Sequence, residues 1–424
     1  MKILVVGSGG REHAIVRALA RTWSGEDSLE LICAPGNPGI EADARCVPDV
    51  GGEDVPALVA LAQSEAVDLV VVGPEVPLVD GLVDELAAVG IKAFGPSAAA
   101  AQLEGSKIFC KEVLVSSGVP TAGYKVLRTR EEALAAADET NYPAVFKSDG
   151  LAAGKGVIIC ADESEARAAI DEYFTEQRFG ETDVIIEEFL EGVEISLLAI
   201  CDGERAYSLV PARDFKRIFD GDQGPNTGGM GAFSPVPELP INEIDAISAQ
   251  VHQPIVDEMK RRGAAFHGIL YAGLMLTADG VKVLEYNTRF GDPETQALLP
   301  RITSDLAALM LASIEPGGLA GHEIAFSEQR SVTLTLASAG YPETSSKGDV
   351  IKGLEDVSSG VEITHAGTAR NADGAIVTAG GRVINVTALS DSVPRAREAA
   401  YAGAALIDFD GKQQRSDIAA GIDL

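Results

Sequence analysis

Glu285, Asn287 and Arg289 stand two residues apart in the stretch Val283-Leu-Glu-Tyr-Asn-Thr-Arg-Phe-Gly-Asp-Pro-Glu-Thr-Gln296. Val281, Val283 and the residues up to Tyr286 read as the end of a β-strand, from their alternation and β-propensity. Side chains two apart on a strand share a face, so these three point into one space. A carboxylate beside an amide oxygen suits a hard cation such as Mg²⁺, which takes oxygen ligands and keeps phosphates as partners. An arginine on the same face offers forked donors that match a phosphate or acyl-phosphate oxygen. Gly291 and Pro293 break the strand and leave Asp292 and Glu294 on a turn. An edge strand with a solvated polar face has the same pattern, so the rest of the chain must decide.

Other stretches carry chemistry of the same kind. Pro143-Ala-Val-Phe-Lys147 reads as a strand bearing a lysine, and it runs into Asp149-Gly-Leu-Ala-Ala-Gly-Lys-Gly-Val157. Glycines crowded around Lys155 make a loop whose backbone can close over phosphates. It is not a P-loop, because Gly156 stands where that motif needs Ser or Thr. Glu187 and Glu194 flank a connection between two strands, where they suit an adenine amino group and a ribose diol; a solvated connector is the alternative. Gly224-Pro-Asn-Thr-Gly-Gly-Met-Gly-Ala232 has neither strand nor helix periodicity and reads as a loop defined by its backbone. Near the N-terminus, Gly7-Ser-Gly-Gly-Arg-Glu-His13 follows an apolar strand and opens a helix, an arrangement that presents backbone N–H groups to an anion. The dinucleotide fingerprint wants glycine where Glu12 stands, and the second strand ends in Ala34-Pro-Gly-Asn37 without a ribose-binding acid. NAD is therefore disfavoured, and Arg11 beside the loop suits a lone phosphate.

The elements that position these residues divide the chain in three. Over residues 1–102, strands alternate with helices and each strand ends in a polar or Gly/Pro turn, which predicts an open parallel α/β domain with ligands at the strands' carboxyl ends. Residues 103–325 form an α+β core, opened by a helix over 106–117 that Ser106 caps and Gly118 stops, with a smaller lobe over about 121–190 inserted. A hairpin turning at Asp279-Gly280 delivers the Glu285 strand. Residues 326–424 alternate short strands with loops, end in a helix near 394–406, and carry few clustered polar groups, which predicts a small α+β domain of structural role.

Composition narrows the class. The chain has 424 residues, 46% of them hydrophobic and 23% charged, with a formal charge of −30. Such acidity argues against non-specific binding to nucleic acid or an anionic membrane. It also means that a phosphate-bearing ligand needs a local basic site. No apolar run reaches the length of a membrane span, and the N-terminus reads as a strand rather than a signal peptide. Cys33, Cys46, Cys110, Cys160 and Cys201 are scattered without metal-type spacing, as expected of buried thiols in a reducing cytoplasm. The histidines do not cluster, so zinc is not expected.

A lysine strand with a glycine-lysine loop, a Glu-rich hinge and a strand with E-x-N-x-R, in that order, resemble the ATP-grasp enzymes. Within them the chain is most similar to the glycinamide ribonucleotide synthetase family. The strings that carry the resemblance are Gly7–His13, Ala34–Asn37, Val72-Gly-Pro-Glu75, Gln102-Leu-Glu-Gly-Ser-Lys107, Asp149–Val157, Gly224–Ala232, Arg289–Gln296 and His365-Ala-Gly-Thr368, and they span nearly the whole chain. Ser148 replaces an expected alanine, Arg213 an expected glutamine and Phe215 a frequent histidine, and the last two leave substrate contacts near Asp214 open.

The resemblance implies a pre-ATP-grasp N-terminal domain, a two-lobed ATP-grasp core and a small C-terminal domain. It implies that ATP, glycine and 5-phosphoribosylamine give glycinamide ribonucleotide, ADP and phosphate through glycyl phosphate, in de novo purine biosynthesis. Glu285 and Asn287 would hold Mg²⁺ or Mn²⁺, and Gly273–Leu276 on the preceding strand offers no further acid. Lys107, Lys147 and Lys155 would neutralise ATP phosphates, while Glu187, Glu188, Leu190 and Glu194 would hold adenosine. Arg289, Lys155 and Asp214 would be catalytic, Asp214 taking the glycine ammonium under a loop that includes Gly228 and Gly229. Gly9, Gly10, Arg11, Asn37, Pro74 and Glu75 would receive phosphoribosylamine, with Arg289, Gly291 and Asp292 also binding substrate. A cytoplasmic monomer or weak homo-oligomer is expected. Another ATP-grasp ligase would differ in the first-domain loop and around Asp214; a Rossmann oxidoreductase or a non-catalytic nucleotide sensor would differ in needing NAD(P) or in dispensing with the metal and phosphate groups.

Overall fold

The structure is a computed structural model that describes residues 1–151 and 156–424. The N-terminal sheet is fully parallel, in the order Arg45–Cys46, Glu30–Pro35, Lys2–Gly7, Leu69–Val72, Ala93–Phe94. Its central strands are apolar on both faces because helices cover both, as all-parallel sheets require. Strand order reverses beside Lys2–Gly7, so Gly7 and Gly73 flank the crevice at the carboxyl ends where such sheets bind ligands.

The predicted helix opening the core spans Lys107–Ser117; the Ser106 hydroxyl accepts from the Phe109 N–H, and Gly118 ends it in the left-handed region at φ 70°. Beyond it, Tyr124–Leu127, Val184–Glu188, Ala144–Ser148 and Val157–Cys160 form an antiparallel sheet in that order. Phe146 and Ile186 pack with Ala136, Ile170 and Tyr173 of the helices Arg130–Glu139 and Glu163–Phe174. Alternation along the strand therefore turns Lys147 to the opposite face, toward the core. A second antiparallel sheet, Ala206–Ser208, Val193–Asp202, His267–Thr277, Gly280–Asn287, faces it.

One expectation needs correction. Only part of Gly224–Ala232 is an irregular loop: Gln223–Asn226 pairs with Arg217–Phe219, and Gly231–Ser234 is a strand between Arg213–Asp214 and Arg330–Ala337. Glycine-rich composition hid these strands because pairing with distant partners decides them. A Cβ on Gly231 would lie 2.6 Å from the Thr333 carbonyl, so close backbone approach needs the glycine there. Within the C-terminal part, Arg330–Ala337, Arg382–Ser390 and Val361–His365 continue the sheet begun at Arg213–Asp214. Among the described residues no helix is long and apolar enough to cross a membrane.

Candidate active site

At the carboxyl end of the first strand, Glu12 fills the space that its sequence position had put outside the dinucleotide fingerprint. Its Oε2 accepts the Gly9 N–H at 2.6 Å, and its Oε1 meets the Arg11 Nε at 2.6 Å. A Cβ on Gly73 would lie 2.2 Å from Glu12 Oε1, so the carboxyl sits against the next strand's turn. Arg11 also donates to the Phe290 carbonyl at 3.3 Å, which ties the loop to the segment just after the Gly280–Asn287 strand. Gly10 packs on Gln296 and Asn385, since a Cβ there would lie 2.8 Å from the former and 2.3 Å from the latter. Pro74 precedes the helix Glu75–Val79 at the neighbouring turn.

The expectation for Asn37 is corrected. Its Nδ2 donates to the Ser8 and His365 carbonyls, each at 2.8 Å, and its Oδ1 accepts from Gly39 and Ile40 at 2.9 and 3.0 Å. Two donors and two acceptor sites exhaust a carboxamide. Asn37 is therefore a staple between the phosphate-type loop and His365 of the C-terminal segment.

Arg289 bridges the N-terminal domain and the core. Its Nε lies 3.3 Å from Glu75, its Nη2 2.8 Å from Glu104, and Nη2 also donates to Asn287 Oδ1 at 3.1 Å. Glu104 went unnoticed in the sequence; it accepts from the Thr288 N–H at 2.7 Å and hydroxyl at 3.1 Å, and burial pushes its carboxyl up despite Arg289. Burial also acts against the Glu75 carboxylate, but Arg289 and Arg11 hold its pKa below the usual value.

Glu285 is the electrostatic centre. Burial would raise its pKa, yet Lys216, Lys147, Lys107 and Arg289 converge on it and bring it below the ordinary carboxylate value. It is therefore ionised in a site otherwise rich in cations. With Asn287 on the same face, it presents two hard oxygen donors; among the described residues no group of three or more His, Cys, Asp or Glu assembles a complete cage. A cation that takes most of its ligands from phosphates and water fits such a pair. Lys107 donates to the Gly150 carbonyl at 2.8 Å, and burial lowers its pKa. Lys155 lies outside the described residues.

In the lobe, the Glu187 carboxylate is buried between Lys147 Nζ at 2.9 Å and Lys111 Nζ at 3.2 Å, so it pairs with two lysines. Burial opposes the charge on Lys147, but Glu187 and Glu285 outweigh it and raise the pKa. Lys111, one turn after Lys107 on the same helix, carried that signal in its i,i+4 spacing. Glu188 is exposed and 3.5 Å from Lys282, while Leu190 is buried. Glu194 pairs with Lys216, a further cation the sequence reading passed over.

Asp214 faces the same space. Burial pushes its carboxyl up to about 8, with Lys216 opposing and Glu294 and Glu194 adding to the rise. Glu294 is buried and accepts from the Ser196 and Tyr271 hydroxyls at 3.0 and 2.9 Å. A Cβ on Gly291 would lie 2.4 Å from Glu294, so only glycine leaves that carboxyl its place. The C-terminal segment enters here, contrary to its expected passive role. Arg382 donates to the Gly228 carbonyl at 2.5 Å and the Asp292 carbonyl at 2.7 Å, and its Nη2 lies 2.9 Å from the Asp292 carboxylate. Tyr341 accepts the Gly228 N–H at 2.9 Å, and a Cβ on Gly229 would lie 2.3 Å from Pro293. The loop and the Asp292 turn are thus fastened to each other from outside the core.

Comparison with known proteins covers the whole chain. Family models described as phosphoribosylglycinamide synthetase match it in three parts: the N domain at residues 1–104, the ATP-grasp (A) domain at 105–295 and the C domain at 331–421. A phosphoribosylamine–glycine ligase of Brucella melitensis is 47% identical over 422 residues, covering 99% of this chain and 97% of that one. One of Caldanaerobacter subterraneus is 45% identical over 424 residues, covering 99% and 100%. Among solved structures, a Thermotoga maritima phosphoribosylamine–glycine ligase is 32% identical with a TM-score of 0.83, covering 99% of this chain and 100% of that one. The biotin carboxylase domain of a Hydrogenobacter thermophilus 2-oxoglutarate carboxylase, solved with magnesium ADP, is 17% identical with a TM-score of 0.72 over 97% of this chain and 91% of that one, a likeness of fold alone.

Proposed function

The chain belongs to the phosphoribosylglycinamide synthetase family, and from that membership we infer that it joins glycine to 5-phosphoribosylamine at the expense of ATP. The products are glycinamide ribonucleotide, ADP and phosphate. It is an ATP-grasp carbon–nitrogen ligase of purine biosynthesis. A glycine carboxylate oxygen attacks the γ-phosphorus of ATP, and the bond from that phosphorus to the ADP oxygen breaks. The amine of phosphoribosylamine then attacks the acyl carbon, loses a proton, and expels phosphate.

The observation that carries the reading of the site is the convergence of Lys107, Lys147, Lys216 and Arg289 on the ionised Glu285. In this proposal Lys107 and Lys147 neutralise ATP phosphates, with Lys147 held by Glu187. Glu285 and Asn287 would hold a divalent cation, Mg²⁺ or Mn²⁺, which when bound supplies charge neutralisation between the phosphates. Arg289 presents its fork to the transferring phosphoryl, and Glu75 and Glu104 fix its plane. The Gly9–Arg11 loop receives phosphoribosylamine, with Glu12 keeping the loop in shape. Glu188, Leu190 and Glu194 line the adenosine side. The reaction is placed in the cytoplasm on a monomer or weak homo-oligomer, which suits five free thiols.

The test of the reaction is ATP-dependent phosphate release, with glycine and freshly made phosphoribosylamine added separately and together. Release only with both, and a product of glycinamide ribonucleotide mass, is the expected result. Phosphate release without that product would reject the proposed acceptor.

Asp214 is proposed to take the glycine ammonium, and its raised pKa of about 8 gives a signed expectation. Below that value a proton occupies the carboxylate and competes with the ammonium. Glycine KM should rise as pH falls through about 8 toward 6.5, approaching about tenfold per pH unit. Steady-state rates at saturating ATP and phosphoribosylamine measure it. In Asp214→Asn the glycine KM should be high and its pH slope flat. A flat profile in the unaltered enzyme would remove Asp214 from this role.

A further inference from the structure

Arg415 is among the largest fully buried side chains of the described residues, and nothing in the chemistry above uses it. It lies near the C-terminus but reaches back to the segment around Asp214. Its Nη1 donates to the Arg217 carbonyl at 3.1 Å and to Asp222 at 2.7 Å, while Nε and Nη2 donate to Asp417, each at 2.7 Å. Its guanidinium lies 5.0 Å from the centre of the Phe215 ring. The neighbouring Ser416 donates its backbone N–H to Asp220 at 2.8 Å and its hydroxyl to the other Asp220 oxygen. Asp417 accepts the Gly221 N–H at 2.8 Å. Arg415, Ser416 and Asp417 thus grip all three residues of the turn between Arg217–Phe219 and Gln223–Asn226.

What this grip holds is the back of the candidate substrate site. Asp214 and Lys216 alternate with Arg213, Phe215 and Arg217, so the residues that face the site and those that Arg415 touches lie on opposite sides of one extended segment. The same segment carries the glycine loop on its backbone. Phe215 donates to the Gly231 carbonyl at 3.0 Å and accepts from Met230 at 2.8 Å, and the Lys216 carbonyl accepts from Thr227 at 2.7 Å. The Phe215 ring also lies 5.8 Å from the Arg213 guanidinium, which pairs with Glu238 at 3.3 Å. The two departures flagged beside Asp214, Arg213 and Phe215, therefore belong to one stack with Arg415.

We propose that Arg415 is a positioning residue for the amino-acid subsite: it clamps Phe215 and the 220–222 turn from behind, and so fixes Asp214 and the 227–230 loop. The inference rests on the reading of Asp214 as the ammonium acceptor. A purely structural arginine would predict something else, namely a lower Tm with unchanged KM values in the molecules that remain folded.

Three variants separate these. Arg415→Met removes the charge and the fork; Arg415→Lys keeps charge alone; Asp222→Asn removes one partner at an exposed position whose φ of 54° an asparagine tolerates. With the whole enzyme, Arg415→Met should raise glycine KM by about fivefold or more and Asp222→Asn by about twofold, with ATP KM within about twofold of normal. Arg415→Lys should recover part of the loss. A folded Arg415→Met with ordinary glycine KM, or equal rises in glycine, ATP and phosphoribosylamine KM, would overturn the proposal. If Arg415→Met fails to fold, Asp222→Asn decides by the same criterion. Should Asp214→Asn leave glycine KM unchanged, the reading of the subsite fails first; should it raise that KM while the Arg415 and Asp222 variants do not, only the clamp fails.

Discussion

Arg289→Ala should lower kcat by about three orders of magnitude, the scale at which an arginine that meets a transferring phosphoryl contributes. The side chain is positioned before any ligand arrives, with Glu75 at 3.3 Å, Glu104 at 2.8 Å and Asn287 accepting at 3.1 Å. Its loss also strands Glu104, a buried carboxylate whose pKa already lies above normal and which would take up a proton. Rate and stability therefore fall together in the alanine variant, and Arg289→Lys separates them. Lysine restores a positive charge beside Glu104 but not the planar fork, so Tm should recover while kcat stays low. Phosphate release at saturating substrates, read beside thermal unfolding, measures both. A lysine variant with kcat within about tenfold of normal would reject the fork as the operative feature.

Glu285→Ala should cost a similar factor, about a thousandfold in kcat, for a different reason. Glu285 is the one anion on which Lys216, Lys147, Lys107 and Arg289 converge, and they hold it ionised against burial. Removing it takes away the carboxylate donor of the proposed cation site, while Lys147 keeps Glu187, Lys216 keeps Glu194 and Arg289 keeps Glu75 and Glu104. ATP should still bind, because the lysines proposed to meet phosphates remain, but the phosphates would be held without the proposed cation between them. Raising Mg²⁺ should recover little, since the amide oxygen of Asn287 alone is a weak donor. Turnover near normal at saturating Mg²⁺ would refute the metal assignment. Glu285→Gln, which keeps shape and an oxygen, should fall between the two.

The strength of the E-x-N-x-R reading came from period. A strand's twofold alternation places Glu285 and Asn287 on one face, while Arg289 lies beyond the strand's end at Asn287 and is oriented by Glu75 and Glu104. The same holds for the Ser106 cap and Gly118 stop of the Lys107–Ser117 helix, each settled by contacts within a few residues. The parallel N-terminal sheet was legible because its strands are short apolar runs, each ending in a turn whose residues are conformationally special.

Glu187 shows where that kind of inference stops. Its position at the end of a lobe strand was evident, but the direction of its carboxyl depends on Lys111 and Lys147, which approach from another helix and another strand. Asn37 is similar, since two of its partners are the Ser8 and His365 carbonyls, the latter 328 residues away. The irregular reading of Gly224–Ala232 failed at Gly231 and Ala232 because pairing with Arg330–Ala337, not local propensity, puts them in a strand.

The sequence by itself determined the class of chemistry, the elements that carry it and the order in which they come, because each depends on residue type and on spacing within one element. Only the tertiary structure decided which charges meet: Lys216 and Lys147 at Glu285, Glu104 at Arg289, Arg382 at Asp292, and Arg415 at Asp222 and Asp417. The physical reason is that a charge–charge contact is set by separation in space. Here those separations are fixed by strand pairing and helix packing between residues far apart in the chain.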